Sequence, residues 1–543
     1  MPSSTLALTP WKQLLVLALV AIFHAVSASP IDFVSTNNNT LTRSCPARFK
    51  ANITQARVEA AKASTNNNTG AACCMLLKDG LGQMVLSSNS TAYRSSISAI
   101  WSVQAQSVVP GCIVSPKTTS DVSQTIRVLN QVKGMGLQCN FAIRSGGHTP
   151  WVGSSSIQNG VQIDLAALNQ VTVASDQKTT AIGPGARWVD VYSKLDALSL
   201  TVAGGRTATV GVGGLVTGGG ISFFSARYGF TADTVTSYEV VLSNGSVVIA
   251  SATSEPELFF ALKGGSNNFG IVTRFDLVTF PAGQLWGGQI ISPISTKNQS
   301  LPAFVKFTNQ TSYDVYGALI HSFAWTNASG WLVVNFMTYT QPVVNPPVFQ
   351  ETLAIQPRFI STTRLSNHSD LTRELATATT AVKNQIFYTS TWSNDLQTLS
   401  DIAALSDKYL QTVATVPGLI WPLTFQPLVT AITSKSASTG GNALGLDPSN
   451  GNLVLCLLNA SWDNRADEPA VVAAVTGFFA EADALAASRG KLNAYKYLNY
   501  ADKTQQPIKG YGSANVDKLR AASKKYDPTG MFQTMVPGGF KLQ

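Results

Sequence analysis

Three glycine-rich runs could close bare backbone around a ligand: Arg144-Ser145-Gly146-Gly147-His148, then Gly211-Val212-Gly213-Gly214 running on to Gly218-Gly219-Gly220, then Gly264-Gly265-Ser266-Asn267-Asn268-Phe269-Gly270. Amides free of side-chain bulk can crowd around phosphate oxygens. One such run alone is more often a tight turn than a ligand loop, but three in one stretch of chain are explained economically by a large ligand with a pyrophosphate. The spacing is not that of ordinary nucleotide sites. The third glycine of the dinucleotide fingerprint, after Gly211 and Gly213, would be residue 216, which is Val, and no Gly-x-x-x-x-Gly-Lys occurs. His148 ends the first run, just after the apolar Phe141 to Ile143, which puts an imidazole beside a bare turn. Toward the C-terminus, Tyr495, Tyr497, Asn499 and Tyr500 form a second group, readable as packed sheet aromatics or as groups facing a ligand.

Other chemistries lack their residues. Beyond the leader described below, the histidines are His148, His321 and His368, and neither Cys-x-x-Cys nor Gly-x-Ser-x-Gly occurs. No metal site and no hydrolase nucleophile elbow is therefore expected. The formal charge of +9 is spread thinly, without a basic block, so no nucleic-acid partner is expected. Apolar residues reach 45% and charged ones only 12%, which excludes a disordered chain and leaves material for several cores.

Lys12 precedes an apolar run from Leu14 to Val26, and Val26 and Ala28 occupy the small-residue positions of a cleavage site. Residues 1–28 read as a signal peptide. The run is too short to cross a bilayer core of roughly 30 Å as a helix. Cys45, Cys73, Cys74, Cys112, Cys139 and Cys456 are compatible with disulfides in an oxidising compartment, with the pairing left open. Sequons begin at Asn38, Asn52, Asn67, Asn89, Asn244, Asn298, Asn309, Asn327, Asn367 and Asn459. The expectation is a secreted glycoprotein, free of the membrane once the leader is removed.

Elements follow from periodicity. Residues 29–105 read as a small helical and loop-rich cap. Ser120 is the expected N-cap of a helix carrying Val122, Ile126, Leu129 and Val132 on one face, and this helix leads into the strand Phe141 to Ile143. Val161 to Leu165, Val171 to Ala174, Leu200 to Ala203, Tyr238 to Leu242 and Val247 to Ala250 read as further strands. Asn244-Gly245 joins the last two as an expected type I′ turn. Trp188, Val191, Tyr192, Leu195 and Leu198 give a second helical stripe. Between 281 and 490 the strand signals lengthen (Gly317 to Trp325, Trp331 to Tyr339, Leu453 to Leu458), and a long helix follows Asp467, with Pro469 in its first turn and Gly490 at its end. Val516 and Leu519 mark a short helix in the tail.

The text from Pro110-Gly-Cys-Ile-Val-Ser-Pro116 through Arg144-Ser-Gly-Gly-His148, Thr209-Val-Gly-Val-Gly-Gly214 to Gly220, and Gly264 to Thr273 resembles the PCMH-type FAD-binding domain of the vanillyl-alcohol-oxidase superfamily. The tail, Tyr497-Leu-Asn499-Tyr500 with Tyr511-Gly512, Asn515-Val516 and Lys525-Tyr526-Asp527-Pro528, resembles its berberine-bridge-enzyme-like branch. The resemblance implies an α+β fold: a two-part FAD-binding domain (106–280 and 491–543) with an inserted antiparallel-sheet substrate domain (281–490) covered by helices.

It further implies that FAD is held by Arg144, Ser145, Gly146, Gly147, Thr209, Val210, Gly211, Gly213, Gly214, Gly218, Gly220, Gly270, Ile271, Val272 and Asn499, and is joined to His148 through its 8α-methyl carbon. Relatives with a second flavin bond carry a Cys where this chain has Thr207, so one bond is expected. Val210 falls beside the oxygen-reactive face, implying an oxidase that uses O2 and releases H2O2. Tyr500 matches the family's base, and Tyr497 is expected beside it. A free tyrosine, with a pKa of about 10, needs a neighbouring cation, a donor or the flavin's field to act as a base near neutrality. Gln426, in Thr424-Phe425-Gln426-Pro427, is a further residue expected to face the flavin. Substrate readings stay open between a secondary-metabolite intermediate and an oligosaccharide, each taken by a monomer. A flavin-fold glycoprotein that works by binding alone is the reading of another class.

Overall fold

Thr118, not Ser120, starts the first long helix, Thr119–Gly134. Its hydroxyl accepts the Asp121 amide at 3.1 Å while the Asp121 carboxylate accepts the Thr118 amide at 3.0 Å, a reciprocal box that outcompetes a lone serine cap. The stripe Val122, Ile126, Leu129 and Val132 is buried, as the periodicity requires. The computed structural model describes residues 53–377 and 382–542. The signal peptide, residues 29–52 of the cap, Cys45 and the sequons at Asn38 and Asn52 lie outside them.

Three sheets carry the described residues. In the first, β1 (Val85–Leu86), β2 (Cys112–Val114), β3 (Phe141–Arg144) and β4 (Val161–Asp164) lie in the order β1-β2-β4-β3, with β4 parallel to both β2 and β3. Disulfides Cys73–Cys139 and Cys74–Cys112 tie the preceding helix, Thr69–Leu81, to this sheet, and Cys456 is free and buried.

The second sheet comprises β5 (Val171–Val173), β6 (Thr179–Ile182), β7 (Leu200–Val202), β8 (Val235–Val241), β9 (Val247–Ser251) and β10 (Ile271–Pro281). The long β10 pairs antiparallel with β6, β7 and β8 and so organises the sheet. In the β8–β9 hairpin only Gly245 takes a positive φ, +78°, so the turn is not type I′, which needs both central residues there. A glycine following an ordinary turn closes it instead.

The third sheet has nine strands, with neighbours pairing antiparallel: β11 (Leu285–Pro293), β12 (Gly317–Thr326), β13 (Gly330–Tyr339), β14 (Ile360–Ser361), β15 (Arg364–Ser366), β16 (Asn384–Ser393), β17 (Ile420–Leu428), β18 (Leu453–Trp462) and β19 (Leu492–Asn493). Side chains alternate across a strand, so each strand feeds two faces. Phe425, Trp421 and Trp392 pack into a core with Phe304, Ile402 and Phe478 from the covering helices Lys297–Thr308, Leu396–Gln411 and Glu468–Ser488. Each such side chain contributes about 1.5–3 kcal/mol on burial. The alternate residues form the wall of the cavity described next. After Gly490, at φ +65°, the chain returns to the second sheet, where Val516 and Leu519 of the helix Ser513–Tyr526 join the core of Tyr238 and Phe259.

Candidate active site

β3 delivers the first glycine run to the second. Gly146 and Gly211 meet backbone to backbone, so closely that a Cβ on either would overlap the other. Ser145 fixes the contact, its Oγ accepting the Gly213 amide at 3.1 Å and donating to the Pro184 carbonyl at 2.5 Å. Gly147 turns at φ +66°, a conformation that favours glycine. Ser266, Asn267 and Gly270 of the third run complete this side of a cavity of about 410 Å³. Its other wall is the helix-free face of the nine-stranded sheet: Ile320, Ser322 and Ala324 of β12, Pro422, Thr424 and Gln426 of β17, and Leu457 and Asn459 of β18.

His148 projects into this cavity. Its ring stacks on Trp101 at 4.3 Å and 13°, and the Trp101 amide donates to the Gly147 carbonyl, so indole and loop are one unit. Nε2 lies 3.2 Å from Thr209 Oγ1. The ring is half-buried because it faces the cavity rather than bulk water. That desolvation, with the Arg187 guanidinium nearby, drops its pKa to about 3. His148 is therefore a neutral imidazole with a lone pair near neutral pH.

Across the cavity, the segment Leu498–Tyr500 presents a phenol to a cation. Arg206, buried, donates to Tyr500 Oη at 3.0 Å and to Gln426 Oε1, and Tyr500 Oη in turn donates to Gln426 Oε1 at 3.4 Å. Arg206 makes no ion pair with any described residue, so its charge is available to the cavity. Tyr497 stands edge-on to Tyr500 at 4.7 Å, is fully buried, and has its phenol pushed well up by that burial and by Tyr500, which suits it to hold a proton rather than take one. Asn499 Nδ2 donates to Tyr497 Oη and to the Leu215 carbonyl, each at 3.0 Å, pinning the segment to the second glycine run.

Of the residues expected from the sequence, Ser145, Gly146, Gly147, His148, Val210, Gly211, Gly213, Gly214, Gly270, Ile271, Val272, Gln426, Tyr497, Asn499 and Tyr500 all border this one cavity, as does Thr207. Four do not. Arg144 is buried in an ion pair with Asp164 at 2.5 Å. Thr209 contributes only through His148. Gly218 abuts the Asn499 side chain, leaving no room for a Cβ, and Gly220 turns at φ +81° against Leu215 and Thr231. Conversely, the sequence reading passed over Arg206, Trp101, Ser155 and Asn459. For Arg206 a signal existed, since between Asp196 and Asp233 the chain has two cations and no acid.

The cavity fits FAD. Ser155 Oγ on its wall is buried without a partner, and around Gly214 nothing lies within 4 Å of where a Cβ would stand, so bare backbone faces open space. Residues 110–251 match a family model described as an FAD binding domain, and residues 496–535 match one described as berberine and berberine like. The chain is 38% identical over 483 residues to the FAD-dependent monooxygenase sdcF of Emericella nidulans, spanning 87% of this chain and 98% of that protein. Its identity to the FAD-dependent monooxygenase drtC of Aspergillus calidoustus is 36% over 477 residues, 87% of this chain and 90% of that one. Among solved structures, xylooligosaccharide oxidase from Myceliophthora thermophila C1, in complex with xylobiose, matches with TM-score 0.67 over 86% of this chain and 98% of its own, at 22% identity. Glucooligosaccharide oxidase from Acremonium strictum, with its 6-S-cysteinyl, 8α-N1-histidyl FAD, matches with TM-score 0.67 over 88% and 98%, at 18% identity. These two structures establish the fold, and the sequence relatives establish the family. The chain belongs to the berberine-bridge-enzyme-like FAD-dependent oxidoreductases.

Proposed function

We propose that the protein is a secreted oxidase that oxidises a carbon bearing O–H or N–H in a secondary metabolite, with FAD bound through His148 and O2 as final acceptor. FAD, when bound, supplies a two-electron acceptor for the substrate carbon and passes those electrons to O2, giving H2O2. The reading is carried by one observation: Arg206 contacts both Gln426 and Tyr500 on the wall of the cavity into which His148 points. Loss of electrons from a carbinol or amine carbon requires the O–H or N–H proton to leave. Tyr500 takes it onto a phenolate oxygen and becomes a neutral phenol, and Arg206, 3.0 Å from that oxygen, stabilises the phenolate that must be present beforehand. Gln426, engaged by both, orients them.

His148 suits the link because burial keeps it neutral and its stacking on Trp101 fixes its direction. Nε2 faces Thr209, so Nδ1 is the nitrogen we assign to the bond, in line with the histidyl linkage of the Acremonium strictum enzyme. Thr207 borders the cavity where that second, cysteinyl bond would need a thiol, so a single bond is assigned. Val210 borders it too, at the position from which we read oxidase rather than dehydrogenase behaviour. Secretion is supported by the apolar leader, by the two disulfides, and by exposure of seven of the eight sequon asparagines within the described residues.

The test is direct. Acid-precipitated protein should stay yellow, and a metabolite panel should bleach the flavin anaerobically and release H2O2 in air. A colourless pellet would reject the linkage. The relatives' names favour a second reading, oxygen insertion: substrate consumption with O2 uptake but without peroxide would establish it over oxidase chemistry.

A further inference from the structure

Along the sheet wall of the cavity nearly every side chain is apolar: Ile320, Ala324, Val334, Ile420, Pro422 and Leu457. The polar residues there are otherwise engaged. Ser322 and Thr424 face each other across β12 and β17 with their hydroxyls 2.9 Å apart, and Gln426 is held by Arg206. Asn459 is different. It borders the cavity, half-buried on β18, and its side chain makes no hydrogen bond to any described residue. In the strand register it stands opposite Phe387 of β16, whose ring lies edge-on to Tyr500 at 6.1 Å. A free amide thus sits one side chain away from the phenol at the reacting end.

Asn459 also begins a sequon, yet Ala460 and Ser461 are buried between paired strands, and the amide borders the cavity. Among the sequon asparagines of the described residues it alone is not exposed. A glycan there would have to occupy the cavity, so the position favours an amide that faces a ligand over one that carries a sugar.

Sugars present hydroxyls on every side, and each one desolvated against this wall would lose water without gaining a partner. We propose that the site takes an uncharged, mostly apolar ring system with one carbonyl or phenol oxygen, which accepts from Asn459 Nδ2, and that Asn459 selects substrates by this bond. This substrate class rests on the oxidoreductase reading above and deepens it.

The experiment compares three probes on the holoenzyme by calorimetry and by perturbation of the flavin absorbance: 1-tetralone, its hydrocarbon parent tetralin, and xylobiose. Tetralone should bind about two- to tenfold more tightly than tetralin, the range of one neutral hydrogen bond, and xylobiose should bind more weakly than either. Asn459→Leu should erase the tetralone preference while tetralin still binds, which also certifies an intact cavity. Asn459→Asp should bring tetralone below tetralin by setting acceptor against acceptor. Xylobiose binding ahead of tetralone would overturn the substrate class, and a tetralone preference that survives Asn459→Leu would remove Asn459 from it. A colourless protein would instead strike the flavin reading, and the calorimetric comparison would still be readable.

Discussion

Replacing Arg206 by Met removes the cation beside Tyr500 and keeps the volume. At 3.0 Å, a unit charge acting through an effective dielectric of about 20 is worth about 5.5 kcal/mol to a fully negative phenolate oxygen on Tyr500. Partial charge in the transition state and relaxation of the wall reduce this. Removal of a single preorganised donor from other enzymes costs about 10²–10³ in rate, about 3–4 kcal/mol. Arg206→Met should therefore slow flavin reduction by about a hundredfold or more, with substrate binding little changed, because the guanidinium meets Tyr500 and Gln426 rather than the apolar wall. Arg206→Lys keeps the charge but replaces a planar fork by a compact ammonium unable to hold Gln426 and Tyr500 together, so it should recover only part of the rate. The assay is anaerobic single-turnover bleaching, with a substrate from the peroxide panel. A Met variant reduced within about threefold of the wild-type rate would refute the argument, since no electrostatic role at 3.0 Å could be that small.

Other consequences can be checked independently. His148→Ala should still fold and bind flavin through the glycine runs but release it on acid precipitation, and a yellow pellet from that variant would move the bond elsewhere. His321 is buried, with Nδ1 2.8 Å from Asn335 Oδ1 and a pKa dropped to about 4 by burial. The unfolded chain protonates it below about 6.5 and the folded one only below about 4, so its share of stability is complete above 6.5 and is lost as pH falls toward 4. At most about 3 kcal/mol is involved, and His321→Gln should flatten the acid limb of denaturant-derived stability by up to that amount; an unaltered limb would contradict the assignment. The disulfides span 66 and 38 residues, worth about 4 kcal/mol each by loop entropy, so reductant should lower Tm markedly, and an unchanged Tm would argue against the bridges.

What could be read from the sequence was whatever is local. The glycine runs, His148 and the Tyr497 to Tyr500 segment are contiguous motifs whose types dictate geometry, and the structure gathers them around one cavity. The helix stripes at Val122 to Val132 and Trp188 to Leu195 were legible because a 3.6-residue period needs no partner. β10 is hard to see in the sequence because it starts directly after a glycine run and Arg274 and Asp276 break its apolar stretch, although its burial alternates. The first helix cap was misplaced by two residues because the serine signal is weaker than a reciprocal threonine–aspartate box. Asn244-Gly245 was given the wrong turn because the dipeptide alone does not say which of its residues must go left-handed.

The wall and the partners of the buried cation were illegible for a deeper reason. β12, β17 and β18 are mostly apolar on both faces, with only scattered polar residues, so hydropathy does not separate the face that packs under helices from the face that meets a ligand. The distinction lies in which polar groups find partners, and those partners come from strands and segments far apart in the chain: Arg206 with Gln426 and Tyr500, Ser322 with Thr424. Once those pairs are made, the Asn459 side-chain amide stays without a partner among the described residues on the sheet side of the cavity, and Ser155 Oγ is buried without one among the loops. Leaving a polar group unsatisfied in a folded interior costs about 1–3 kcal/mol. The fold sustains that cost at Ser155, where a ligand would complete the bond, and the Asn459 amide, open to the cavity, offers a further bond, which is why these groups say more about the occupant than the apolar surface around them.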